Sequence, residues 1–218
     1  CLLKLDYHLT EHCNLNCKCC STYAPLAEKE FTDLEVFKAD LTRLRELIGD
    51  KLLNLHLLGG EPLLHPDVEK FVVAARAIFP ETFIDVVSNG LLVKKMPDSF
   101  WNTLKEQDVV LQFSAYPVNL DYVELVEYAK SKGMYVITDG KRNDIGATME
   151  AYTNAHLGTV TVEDSEIEPF GADALTVNGY LGTDGIDPLL KICKERDKGI
   201  YVLVKTSNKS RPFQVYQV

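Results

Sequence analysis

Hydrophobic positions along the chain follow two periods. Short aliphatic and β-branched runs at Leu2 to Leu9, Leu52 to Leu58, Phe83 to Val87, Val109 to Ser114, Met134 to Thr138, Ala174 to Asn178 and Ile200 to Lys205 predict seven strands. Between the first two, Leu34, Phe37, Leu41, Leu44 and Ile48 recur at helical spacing. Thr32 and Glu35 read as a capping box for that helix, and Gly49 as its stop. Further helices are placed at Pro66 to Ile78, Asp98 to Glu106, Asp121 to Lys132, Ile145 to Leu157 and Ile186 to Asp197, several followed by glycine.

Strands alternating with crossover helices imply an α/β fold. The expected architecture is parallel βα repeats forming a partial or hybrid TIM-like barrel of about seven strands. Chemistry in such folds gathers at the C-terminal ends of the strands. Thr159 to Glu168 is acidic and reads as a surface loop. No internal repeat or low-complexity linker marks a domain boundary.

The composition narrows the functional classes. Of 218 residues 46% are hydrophobic and 25% charged, a globular balance that excludes disorder and collagen-like repeats. With 32 acidic against 23 basic side chains, a formal charge of -9 and a pI near 5.1, the surface repels a phosphate backbone, so a nucleic acid partner is not expected. No apolar run approaches the roughly 18 to 20 residues that span a bilayer, and CLLKLDYHLT lacks a signal's apolar stretch. The expectation is a soluble cytoplasmic protein with no membrane partner. Because the first residue is Cys1 rather than Met, a fragment is also expected.

Four of the six cysteines, Cys13, Cys17, Cys19 and Cys20, fall within eight positions, which suits metal ligation better than a disulfide framework. Cys13, Cys17 and Cys20 form C-x3-C-x2-C just past the first strand, three thiols on one loop. A structural zinc site wants a fourth ligand, whereas an iron–sulfur cluster held by three thiolates leaves one iron open to a small molecule. Cys19 and His12 could supply a fourth ligand, but each adjoins another ligand in sequence, and neighbouring side chains seldom point at one metal. A zinc knuckle or buried thiols are the alternatives.

The segment HCNLNCKCCSTYAPLAE resembles the cluster loop of radical S-adenosylmethionine (SAM) enzymes, and Gly59, Gly60, Glu61 and Pro62 follow the second strand as that family's GGEP turn. By this resemblance Cys13, Cys17 and Cys20 hold a [4Fe-4S] cluster, and the backbone and acid of GGEP hold the methionine amino group of SAM. Ser88 and Asn89 in Ser88-Asn89-Gly90, and Ser114 in QFSAY, resemble weaker cofactor-lining positions. The resemblance covers residues 1 to about 136. It implies an electron donor for the cluster, reductive cleavage of SAM to a 5'-deoxyadenosyl radical, and a small-molecule substrate. The family often has an aromatic residue where this chain has Cys19.

A second signature begins at Thr138. Asp139 and Lys141, two apart on a strand, share a face. An ammonium held beside carboxylates keeps its proton and delivers it to a developing carbanion, which is decarboxylation chemistry. A strand-end salt bridge has the same composition. DGKRNDIGATMEAY, DALTVNGYLGTDG and YVLVKTSNKS, in that order, resemble successive strand ends of orotidine 5'-phosphate decarboxylase. The resemblance makes Lys141 the proton donor and Asp139 the carboxylate facing the substrate carboxylate, with no cofactor. Asp144 and Thr148 would reach the neighbouring subunit's site in a homodimer, and Asn178 and the Lys205 to Asn208 segment would line the pocket. The family's array also takes a lysine from an earlier strand and a phosphate-gripping loop with Gln and Arg, neither recognisable here.

The chain therefore reads as a chimera of two βα-repeat proteins joined within YAKSKGMYVITDG, with residues 1–136 radical SAM-like and residues 137–218 an incomplete decarboxylase-like segment. A natural fusion, a recombined gene and an assembly artefact all fit. Three readings of function follow: reductive SAM cleavage, decarboxylation in pyrimidine (UMP) biosynthesis, and a catalytically silent chain. His8, His56, His65 and His156 lack metal-ligand spacing and read as packing or surface residues, and Cys193 as core. No phosphate-binding glycine motif or stacking platform stands out.

Overall fold

A computed structural model describes residues 2, 4–114 and 121–204. The chain divides into two compact units, Cys1–Leu120 and Asp121–Val218.

The first unit alternates β1 (Leu5–Thr10), α1 (Leu34–Ile48), β2 (Asn54–Gly59), α2 (Val68–Ile78), β3 (Phe83–Ser88), α3 (Asp98–Glu106) and β4 (Val110–Phe113). The strands pair in the order β1-β2-β3-β4, all parallel, as βα crossovers require. Tyr7, Leu57, Val86 and Leu111 align across the sheet. Leu55, Leu57, Ile84 and Val86 are fully buried, as are Phe37 and Leu41 of α1, Phe71 and Val72 of α2, and Phe100, Trp101 and Leu104 of α3. The helical spacing that placed α1 is thus the spacing of its buried face. Tyr7 packs edge-on against Phe37 at 4.8 Å, which fixes the helix-covered face of β1.

Alternation puts Asp6, His56 and Asp85, which align in register, on the opposite face. His56 Nδ1 lies 3.4 Å from Asp85 Oδ2. The distance is that of an ion pair, yet burial pushes the Asp85 carboxyl up to about 6 and pulls the His56 imidazole down, so both are driven toward their neutral forms.

Two details differ from the pattern. The cap of α1 is Asp33, whose Oδ1 accepts from Glu35 N at 2.8 Å and Val36 N at 3.1 Å. Thr32, the expected cap, instead donates its hydroxyl to His8 O at 2.8 Å. Gly49 does end α1, at φ 62°, with its N–H on Arg45 O. Arg76 forks onto the carbonyls of Pro80, Thr82, Gln107 and Asp108 and so ties the turn after α2 to the turn after α3.

The second unit contains α4 (Tyr122–Ser131), β5 (Ile137–Arg142), α5 (Gly146–Leu157), β6 (Val160–Val162), β7 (Ser165–Ile167), β8 (Ala174–Asn178), α6 (Thr183–Arg196) and β9 (Gly199–Leu203). Its parallel sheet has the order β5-β8-β9. Met149, Leu157, Ala172, Leu175, Val177 and Leu189 form its buried cluster, and Cys193 packs against it as expected.

Nine strands, rather than about seven, occur among the described residues. The extra pair is an antiparallel hairpin, β6–β7, inside the acidic stretch expected to be a loop. The fifth strand runs Ile137–Arg142 rather than Met134 to Thr138, so Asp139 and Lys141 lie within it. The α/β class with parallel βα repeats holds, but among the described residues both parallel sheets are open and no barrel closes. Lys205 to Asn208 and Cys1 lie outside the described residues. No helix among the described residues is long and apolar enough to cross a membrane.

Candidate functional site

Each unit brings its motif residues to the C-terminal ends of its strands. In the first, the segment after β1 leaves the sheet and returns beside it. Thr10 bridges Phe31 antiparallel, Thr32 N donates to Leu9 O at 3.0 Å, and Glu11 N donates to Glu30 O at 3.3 Å. The cysteine loop is therefore closed at its base by main-chain hydrogen bonds. Thr10 Oγ1 donates its single proton to Glu30 O at 2.9 Å, so it accepts from His12 Nδ1 at 2.8 Å.

The GGEP turn docks on the start of this loop. Gly60 N donates to Thr10 O at 2.8 Å and Glu61 N to His12 O at 3.1 Å. A Cβ on Gly59 would stand 2.2 Å from Thr10 O, and one on Gly60 would stand 2.1 Å from His12 O. Both positions therefore demand glycine, the first also because its φ is 144°. Pro62 opens a short 3-10 turn, Pro62–Leu64, capped by the Glu61 side chain.

Glu61 is fully buried. Its Oε1 accepts from Leu63 N at 3.0 Å and Ser88 Oγ at 2.8 Å, and its Oε2 accepts from Asn89 N at 2.8 Å. Burial pushes its pKa up, and these three donors work against that shift. The carboxylate thus ties the turn after β2 to the turn after β3. Ser88 Oγ also accepts from Gly90 N at 3.0 Å. Asn89 reaches the cysteine loop, donating from Nδ2 to Asn14 Oδ1 at 2.7 Å and to Cys13 Sγ at 3.6 Å. Ser114, one residue past β4, donates its N–H to Ser88 O at 3.3 Å.

The thiols differ among themselves. Cys13 accepts from Leu15 N at 3.3 Å and is half-buried, and its burial pushes the thiol pKa up. The Thr22 hydroxyl beside Cys20 pulls that thiol down. Cys17 and Cys19 are exposed. Among the described residues no three Cys, His, Asp or Glu side chains stand close enough to share one metal ion. The donor chemistry nevertheless fits an iron–sulfur cluster: soft thiols on a closed loop, one of them already receiving two N–H groups. His65 is structural: Asp67 N donates to its Nδ1, leaving Nε2 to donate to Thr32 O at 3.0 Å. Its ring packs between Phe31 and Phe71.

In the second unit, β5 bulges against β8. Thr138 pairs with Leu175 and Arg142 with Val177, so the three residues Asp139, Gly140 and Lys141 face the single residue Thr176. Lys141 sits at φ 46°, a left-handed conformation uncommon for a non-glycine residue. Its ammonium hydrogen-bonds Asp139 Oδ2, and its N–H donates to Thr176 Oγ1 at 3.0 Å. Thr176 in turn donates to Asp139 Oδ1 at 2.7 Å. Partial burial raises the Asp139 pKa, but the hydrogen bonds from Lys141 and Thr176 and the Lys141 charge outweigh it and the net shift is downward.

Thr176 escaped the sequence reading. Its signal was the alternation in ALTVN, which puts Thr176 and Asn178 on one face of β8. Asn178 Oδ1 accepts from Tyr180 N at 2.9 Å, and Asp144 Oδ1 accepts from Ile145 N at 2.9 Å. Thr148 is exposed on α5.

Comparison with known proteins matches each unit to a different family. Residues 7–121 match the radical SAM superfamily, and residues 106–214 match the orotidine 5'-phosphate decarboxylase / HUMPS family. The orotidine 5'-phosphate decarboxylase of Rhodopirellula baltica is 52% identical over 85 residues, which cover 39% of this chain and 27% of that protein. The chain thus spans little more than a quarter of the length of this curated relative. Streptococcus suis SuiB superposes over 98% of this chain and 54% of its own, with a TM-score of 0.52 and 14% identity. SuiB bound to S-adenosylmethionine superposes over 92% and 47%, with a TM-score of 0.51 and 14% identity. At these identities the likeness is one of fold. The chain belongs to two families, the radical SAM superfamily through residues 7–121 and the orotidine 5'-phosphate decarboxylase / HUMPS family through residues 106–214.

Proposed function

We propose that the first unit binds a [4Fe-4S] cluster and SAM and cleaves SAM reductively, with Cys13, Cys17 and Cys20 as cluster ligands. The observation that carries this reading is the docking of the Gly59-Gly60-Glu61 turn onto the cysteine loop through the carbonyls of Thr10 and His12. That docking puts the turn beside Cys13 and needs a glycine at both positions. When bound, the cluster would supply one electron to the sulfonium of SAM. Glu61 holds the turn through Leu63, Ser88 and Asn89, so the backbone of the turn is fixed before a ligand arrives. Ser88 and Ser114 meet at the same strand ends and would line the bound cofactor. The radical would act on a small molecule, and an external electron donor would reduce the cluster.

Anaerobic reconstitution is expected to give about four irons per chain and an electron paramagnetic resonance signal that shifts on adding SAM. Replacing Cys13, Cys17 or Cys20 by Ala should abolish iron uptake, and replacing Cys19 or Cys193 should not. Absence of a SAM-dependent shift in an iron-loaded chain would sink this reading.

A second reading rests on the Asp139, Lys141 and Thr176 constellation. An ammonium bonded to a carboxylate with a depressed pKa is arranged to protonate a carbanion formed beside it. Among the described residues Lys141 is the cation that pairs with Asp139. Electrostatic arrays act as a unit, so decarboxylation of orotidine monophosphate is expected to be undetectable or grossly reduced. Robust turnover abolished by Lys141→Ala would overturn that expectation. As proposals from the same resemblance, Asp144 and Thr148 would serve the partner's site in a homodimer, and Asn178 the pocket wall.

A further inference from the structure

Asn89 makes more contacts than a turn residue requires. It is almost fully buried, and its backbone N–H and both side-chain polar atoms have partners. Its backbone N–H goes to Glu61 Oε2, and its Oδ1 accepts from Leu91 N at 3.0 Å. That second bond fixes the orientation of the amide, because only oxygen can accept there. Nδ2 is therefore compelled to face the cysteine loop, where one hydrogen bond reaches Asn14 Oδ1 and the other Cys13 Sγ. The link spans about 75 residues of sequence and joins the end of β3 to the loop after β1.

We propose that Asn89 is a positioning residue that sets the reduction potential of the cluster by donating a side-chain N–H to the Cys13 sulfur. The proposal rests on the cluster reading above. A reduced cluster carries one more negative charge, part of it on its thiolates. An N–H dipole aimed at such a sulfur stabilises the reduced state and raises the potential. Leu15 N gives the same sulfur a second donor, but that bond is local to the loop. The Asn89 bond reports on the turn after β3, and Glu61 holds the Asn89 backbone in place. Cluster potential is thereby coupled to the order of the Glu61 turn.

The test uses the full chain reconstituted anaerobically with iron and sulfide, in wild-type form and as Asn89→Asp and Asn89→Ala. Potentials are measured by redox titration followed by electron paramagnetic resonance, without SAM. Asn89→Asp keeps the acceptor for Leu91 N and removes the donor to sulfur. Both variants are expected to load the wild-type amount of iron and to disfavour reduction by about tenfold, about 59 mV for a one-electron couple. Equal potentials in equally loaded chains would overturn the proposal and leave the cluster reading standing. A wild-type chain that takes up no iron would overturn both.

Should the variants fail to load iron, the wild-type chain decides the matter. With asparagine labelled by 15N at the side-chain amide, pulsed resonance of the reduced cluster is expected to show a nitrogen coupling that survives Asn14→Asp. No such coupling would overturn the proposal.

Discussion

The two units solve the same problem, placing a carboxylate at the end of a parallel strand, in opposite ways. Glu61 is 0% exposed and takes three hydrogen bonds from two turns of its own unit. The Asp139 side chain is 63% exposed and is held by two side chains, Lys141 and Thr176. In the first unit the chemistry is locked in by backbone packing, with glycines admitting the close approach. In the second it is presented by a bulged strand, with a strained lysine as the cost. A buried, main-chain-bonded carboxylate holds distant turns of its unit together, whereas an exposed ion pair adds little to stability.

The sharpest way to break this contrast is to put a Cβ where the first unit forbids it. Gly60→Ala would collide with His12 O, and is expected to lower stability by about 3 kcal/mol or more and to abolish iron uptake. Urea unfolding and iron analysis would read the two effects. A substitution that kept both properties would refute the docking argument.

A smaller effect is expected from Asp85. Its folded pKa of about 6 lies above the ordinary 3.8, so the stability tied to its protonated form is fully present below 3.8 and is lost as pH rises through about 6. Between about pH 4 and about pH 8, wild-type stability should fall by about 2 kcal/mol relative to Asp85→Asn, allowing for solvent screening. Parallel stability curves for the two proteins across that range would show that the carboxyl stays charged.

The smallest expected effect lies in the second unit. Lys141→Gly relieves a left-handed backbone and removes only an exposed ion pair, so stability should rise by about 1 kcal/mol. Thermal unfolding would check it, and a loss of stability would mean that the bulge depends on the lysine side chain.

How much of this was legible in the sequence varied with how local the cause was. The buried stripes of α1, α2 and α3 and the end of α1 at Gly49 follow from side-chain period and backbone freedom, both local properties. The pattern places the α1 cap one position early because Thr32 and Asp33 both offer an acceptor, and only the His8 carbonyl, 24 residues earlier, decides which one caps. The β6–β7 hairpin was missed because its strands are three residues long and their side chains mostly face solvent, leaving no apolar alternation to read. The pattern ends the fifth strand too early because Asp139 to Lys141 bulge, a choice made by the pairing with Thr176. The cysteine and glycine motifs were visible as residues. The roles of Glu61 and Asn89 in joining two turns were not, since hydrogen bonds between distant loops leave no trace in local pattern.

The closed base of the cysteine loop has an engineering consequence. Because Leu9, Thr10 and Glu11 are stitched to Glu30, Phe31 and Thr32, the sheet meets the loop as a cassette with fixed ends. Loop-closure entropy grows only slowly, about 0.6 kcal/mol for each doubling of length. Residues between Asn14 and Glu28 are therefore expected to accept exchange for a foreign loop of another length with little strain transmitted to the sheet, provided that the seams at Thr10 and Phe31 are kept.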